Sequence, residues 1–184
     1  DKTNYYKKNL DKLFLDWVYV ALEYEENLKN TLKKFKYQYN KQLHILFIPY
    51  LIKVFDKFLE NKINKKDVII CWIPLFLFNF LIRWYNQTYL LAENIAINKW
   101  LNFVKILWKN KYTKSQAKLT KQERLENLKD KFYLKKKYRE YIKWKIIIIV
   151  DDVISTWSTV NEVARILKKF WAKEVYWIFL ATWG

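Results

Sequence analysis

The run Ile146-Ile147-Ile148-Ile149-Val150-Asp151-Asp152-Val153-Ile154-Ser155-Thr156-Trp157-Ser158-Thr159 constrains this chain more than any other stretch. Five consecutive β-branched residues with no polar alternation read as a strand buried on both faces, the signature of a parallel sheet covered by helices. The strand runs into two adjacent carboxylates, then a hydroxyl-rich turn, then a helical pattern. That order suits gripping a sugar phosphate: acids for ribose hydroxyls, and a turn with a helix N-terminus for the phosphate. Trp157 conflicts with it, because a backbone curling tightly round an anion wants glycine.

Composition sharpens the conflict. The chain has one glycine and ten tryptophans in 184 residues, where roughly 7% glycine, or about 13, is ordinary. The tryptophans fall where glycines belong. Trp171 follows an apolar helical stretch at a C′ position, Trp144 lies in a turn before the strand, Trp100 ends another amphipathic stretch, and Trp157 sits in the phosphate turn. The expectation is that these positions are glycine in the native polypeptide, from a gene whose UGA codons mean glycine but were translated as tryptophan. The alternative is a Trp-rich protein with unusual turns.

A length of 184 residues with 52% apolar content allows a single globular domain over 1–184 with a proper core. The absence of methionine suggests a fragment or a trimmed start. No run of 18 uncharged apolar residues predicts a membrane span, and no signal peptide is visible, in keeping with a cytoplasmic protein. One Cys and one His preclude an internal disulfide and all but exclude a Cys/His zinc site. Cys71 reads as a small buried strand residue, and His44 as a helix-surface or half-buried residue without a role. The net charge of +17 fits either an AT-rich genome writing Lys for Arg or a surface facing nucleic acid. Its lysines are spread along the chain rather than gathered in one stripe, which favours the first.

Periodicity predicts a strand over 18–24, a helix over 25–37, and a second helix over 43–59 with Pro49 marking a kink or a late start. A buried strand follows over 67–73, ended by Pro74, then an amphipathic helix over 86–99 and a strand over 102–107. The stretch 109–131 is very polar, with a capping box at Thr120–Glu123, and 132–145 reads as basic and irregular. The central strand covers 146–150. A helix follows with Val160, Val163, Ala164, Leu167 and Phe170 on one face and a capping box from Thr159 to Glu162, then a strand over 174–181. Strand, helix and strand make a βαβ unit.

With residue 157 read as glycine, the stretch Asp151–Thr159 resembles the phosphoribosyl-pyrophosphate motif of type I phosphoribosyltransferases. Arg83-Trp84-Tyr85-Asn86-Gln87 is similar to the Arg-Gly-Phe-Asn-Gln signature of the ComF family of competence proteins. Thr113-Lys114-Ser115-Gln116, Leu119, Arg124, Asn127 and Phe132 follow that family's polar middle, while Leu15–Val18 and Phe35-Lys36-Tyr37 resemble its start. The likeness covers roughly residues 15–182, and the family pattern has glycine at positions 17, 84, 144, 157 and 171. Two departures stand out. The Cys-rich zinc segment that many members carry upstream is not in this sequence: either the fragment begins after it or this lineage lacks it. The loop after Pro74-Leu75, basic in the family, reads Phe76–Ile82 with only Arg83 basic, which puts pyrophosphate binding in doubt.

The resemblance implies an α/β, phosphoribosyltransferase-like fold with a mainly parallel sheet flanked by helices. It implies Asp151 and Asp152 as the catalytic acids on the ribose hydroxyls. Ser155, Thr156, residue 157, Ser158 and Thr159 would bind the 5′-phosphate, with further substrate contacts from Arg83, Asn86 and Gln87. Mg²⁺ would be held by the substrate and waters. The ligand would be phosphoribosyl pyrophosphate or a nucleotide, with single-stranded DNA and an uptake helicase as possible partners. Other readings stay open. The acid pair alone is often a loop start or helix cap; Asn86 and Gln87 equally suit capping; Arg124 and Asn127 suit a structural role; and Phe76, Phe78 and Phe80 suit core or an oligomer contact. The rivals to an enzyme are a non-catalytic module in DNA uptake and a ligand-sensing regulator.

Overall fold

A computed structural model describes residues 13–23, 25–37, 40–59, 63–74, 85–109, 131–154 and 157–182. Its strands are β1 (Trp17–Glu23), β2 (Val68–Trp72), β3 (Asn102–Phe103), β4 (Leu107–Lys109), β5 (Phe132–Leu134), β6 (Ile146–Ile154) and β7 (Glu174–Thr182). Its helices are α1 (Glu26–Tyr37), α2 (His44–Phe58), α3 (Gln87–Lys99) and α4 (Trp157–Lys169). Five strands form one sheet in the order β1-β7-β6-β2-β3, and every pairing in it is parallel. The expected α/β class with a parallel sheet flanked by helices is what the chain forms, and β6 is its central strand.

Alternation along the strands sends side chains to two cores. Ile146, Ile148 and Val150 of β6, with Val68 and Ile70 of β2 and Tyr176, Ile178 and Leu180 of β7, pack beneath α1, α2 and α3. Ile147 and Ile149, with Ile69, Cys71, Val175, Trp177 and Phe179, pack against α4 and the β4–β5 ribbon. Both faces of β6 are covered, and this is why its sequence shows no polar alternation. Cys71 is fully buried, and burial pushes its thiol far up, out of reach of redox chemistry at neutral pH. Pro49 lies inside α2, which a 3₁₀ turn at Lys41–Leu43 precedes.

Four boundaries differ from expectation, the first two through contacts distant in sequence. β6 does not stop at Val150: β7 continues to pair with it as far as Ile154↔Thr182, so Asp151 and Asp152 lie on the strand. The stretch 132–145 holds β5, paired antiparallel with β4 through Trp108↔Tyr133. The single strand expected over 102–107 is two, β3 and the start of β4, separated by a tight turn in which the Ile106 N–H donates to the Val104 carbonyl at 3.0 Å. α4 begins at Trp157, ahead of the predicted capping box. Within it the Arg165 Nε and Nη2 donate to the two carboxylate oxygens of Glu162 at 2.7 Å each, a bidentate charged pair. The capping box at Thr120, Arg124, Asn127, and Phe76, Phe78 and Phe80 lie outside the described residues.

Backbone geometry singles out the tryptophans. Among the described residues, Trp100 (φ 56°), Trp144 (φ 60°) and Trp171 (φ 66°) are the non-glycine positions with left-handed φ. Trp100 and Trp171 close α3 and α4 in the same way. The Leu101 N–H reaches the Ala96 carbonyl at 3.0 Å and the Ala172 N–H reaches Leu167 at 3.2 Å, while Trp100 and Trp171 donate to Ile97 and Lys168. That is the Schellman pattern, whose left-handed residue is usually glycine.

Candidate functional site at the C-terminal end of the central strand

β2 ends at Trp72, opposite Val150, so residues 151–154 of β6 run past their neighbour on that side. This is the kind of place where parallel α/β sheets take ligands: a crevice beyond the carboxyl ends of the strands. Asp151 and Asp152 stand there on opposite faces of the strand.

Asp152 points to the α1 side and is buried. Its Oδ1 accepts from the Val153 N–H at 2.7 Å, and its Oδ2 lies 2.9 Å from the Lys36 ammonium at the end of α1. Asp151 points to the other side and is partly buried. Its Oδ1 accepts from the Asp152 N–H at 2.8 Å. Burial, and after it the neighbouring Asp152 charge, push the Asp151 carboxyl up to about 7; its hydrogen bond from the Asp152 N–H and the charges of Lys36 and Lys109 act against the rise.

Past Ile154 the chain enters α4. Ser155 and Thr156 lie outside the described residues, while Trp157, Ser158 and Thr159 form the first turn of the helix and are partly buried. The first-turn N–H groups of a helix lack intrahelical acceptors and carry the positive end of its dipole. Five positions after Asp152, the first turn of α4 therefore offers backbone donors suited to an anion.

Of the residues in the Arg83–Gln87 signature, Arg83 and Trp84 lie outside the described residues and the rest hold the frame. Asn86 is the N-cap of α3: its Oδ1 accepts from the Tyr89 N–H at 3.2 Å, and its Nδ2 donates to the Ile73 carbonyl at 3.2 Å. Thr88 Oγ1 also donates to Ile73, at 3.0 Å. Gln87 is fully buried and its Nε2 donates to the carbonyls of Phe35 at 3.5 Å and Lys36 at 3.3 Å. Of the two roles open to Asn86 and Gln87, these bonds fit capping and bracing. Tyr85 OH donates to the same Phe35 carbonyl. Asp16, from the motif near the start, accepts from the Val175 N–H at 2.7 Å and locks β1 to β7. Lys36 is the site residue that sequence reasoning missed: it stood in the quoted Phe35-Lys36-Tyr37 motif, but nothing local says which carboxylate a lysine at a helix end will meet.

Because Asp151 and Asp152 leave the strand on opposite faces, they do not make a chelating pair. Among the described residues no group of three or more His, Cys, Asp or Glu is placed to hold a metal ion.

A parallel sheet flanked by helices, with two aspartates on its central strand beyond the end of β2, defines an α/β protein of the class expected. No family model matches the chain. Competence protein F of Haemophilus influenzae is 30% identical over 173 residues, covering 92% of this chain and 72% of that protein. The chain belongs to the competence protein F (ComF) family. Among solved structures, the allosteric regulatory enzyme of purine biosynthesis aligns with a TM-score of 0.48 at 17% identity over 74% of this chain. The glutamine phosphoribosylpyrophosphate amidotransferase of B. subtilis aligns with a TM-score of 0.47 at 16% identity over 77%. This chain spans 26% of each of those two. Adenine phosphoribosyltransferase from Thermoanaerobacter pseudethanolicus aligns with a TM-score of 0.42 at 14% identity, over 73% of this chain and 79% of that one.

Proposed function

We propose that the C-terminal end of β6 binds a ribose phosphate, as phosphoribosyl pyrophosphate or a nucleotide with its magnesium ion. The observation that carries this is the placement of Asp151 and Asp152 on a strand end that outruns β2, five positions before α4 begins at Trp157. The acids accept from ribose hydroxyls, and their charge favours a cationic sugar in any transfer that follows. Backbone N–H groups over residues 155–159, with the hydroxyls of Thr156, Ser158 and Thr159, receive the 5′-phosphate. Magnesium, when bound, neutralises charge on the leaving pyrophosphate. A cytoplasmic location and a place in nucleotide metabolism belong to the same proposal.

The cradle needs bare main chain at 157, since an indole there competes with the anion for space. Calorimetry with phosphoribosyl pyrophosphate and Mg²⁺, on the chain and on its Trp157→Gly form, tests the binding. Micromolar affinity that falls at least tenfold in Asp152→Asn is the expected result. No heat from either form would sink the proposal.

A second reading keeps the ligand and drops the chemistry. The Phe76–Ile82 stretch has lost the basic residues that the family carries there, which favours a sensor or a module acting on incoming single-stranded DNA beside a helicase. Pyrophosphate release with a panel of bases separates the two, because only an enzyme produces it.

A further inference from the structure

The last turn of α1 is held by two side chains from the segment that opens α3. Tyr85 and Gln87, both buried, donate to the carbonyls of Phe35 and Lys36. Asn86 and Thr88, alternating with them, donate to Ile73 just beyond β2. Residues 85–88 therefore brace the end of α1 against the end of β2, next to the acid pair. Phe35 closes the joint, fully buried, with ring centroids 5.6 Å from Phe47 and 5.9 Å from Tyr85. The brace leaves the Lys36 side chain 21% exposed, with its ammonium on Asp152 Oδ2. With Oδ1 on the Val153 N–H, both carboxylate oxygens are tied and one rotamer is selected.

We infer that Lys36 is a positioning residue of this site: the brace of residues 85–88 fixes it, and its ammonium fixes Asp152 for the hydroxyls of a ribose. The inference rests on the ribose-phosphate reading above. An exposed lysine would spend side-chain entropy to hold such a pair for little gain; here the entropy is removed by packing, so the pair is preorganised.

Calorimetry of ribose 5-phosphate against 2-deoxyribose 5-phosphate, on the whole chain in its Trp157 and Trp157→Gly forms, is the test. Lys36→Met is expected to lower ribose 5-phosphate affinity roughly tenfold, the scale of one charged hydrogen bond, and to erase the preference over the deoxy sugar. Lys36→Arg retains the preference, and Tyr85→Phe falls between. An unchanged preference in Lys36→Met, or equal losses for both sugars, overturns the positioning role and leaves the site standing. Parent forms that bind neither sugar phosphate overturn the site and this role with it.

A different observation carries a second inference. The three left-handed residues are all tryptophans, and their side chains are 89% (Trp100), 67% (Trp144) and 61% (Trp171) exposed. A left-handed backbone costs a bulky residue about 1–2 kcal/mol, and these indoles recover little by burial. The Trp144 and Trp171 rings meet at 6.0 Å; Trp100 is the most exposed of the three. We propose that residues 100, 144 and 171 are glycine in the polypeptide its own cells make. The buried Trp72 and Trp177, which pack on Phe103 and Phe179, lie outside this proposal. Peptide mass spectrometry of protein purified from its own cells reads all three positions. Glycine is expected at each, and tryptophan at any one overturns it.

Discussion

Asp152 is paired with Lys36, whereas Asp151 is shaped first by burial and then by the charge of Asp152 beside it. Asp151 carries a carboxyl raised from 3.8 to about 7. The folded chain therefore keeps a proton that the unfolded chain gives up, and the resulting stabilisation is full below about 3.8 and lost as pH rises towards 7. The thermal midpoint is expected to drift down over that window, and Asp151→Asn to flatten the drift; scans in matched buffers measure it. An opposite slope would remove the raised carboxyl from the account. Trp100 gives a second prediction. Trp100→Gly removes left-handed strain without emptying a core position, so urea unfolding should show about 1 kcal/mol of added stability.

The elements around the site have distinct duties. β6 holds the acids and α4 offers its N-terminus, while α3 and the segment before it hold α1 in register. α4 owes its placement to one apolar stripe, with Val160, Val163, Ala164 and Leu167 all buried. Leu167→Ala should cost about 2–5 kcal/mol by leaving a cavity under the helix, read by denaturant midpoint, and should weaken the proposed phosphate binding by loosening the first turn of α4. Exposed pairs such as Lys143–Glu140 (2.7 Å) should contribute almost nothing by the same assay.

The chain carries a net charge of +17, and a protein so charged attracts polyanions at long range. Binding of single-stranded DNA, if the chain takes it, should fall steeply between about 50 and 200 mM salt, whereas sugar-phosphate binding at a partly buried site should fall far less. Titrations across that range, with each ligand on the same protein, distinguish a charged surface from a built site. Parallel salt slopes would assign both ligands to the surface. Among the described residues no helix is long and apolar enough to cross a membrane.

Much of this was readable in the primary structure because it depends on neighbours along the chain. The apolar run 146–150, the spacing of Leu91 and Ile95, and the stripe in α4 report burial through periodicity, and the left-handed caps at Trp100 and Trp171 show as tryptophan where a helix should meet glycine. Contacts between distant residues were not readable. That β6 continues through both aspartates depends on β7 pairing to Thr182; that 132–134 is a strand depends on Leu107 and Lys109. That Lys36 meets Asp152, 116 positions away, depends on a brace from Tyr85 and Gln87. A strand's alternation says that Asp151 and Asp152 face opposite ways, but only packing says what each one faces.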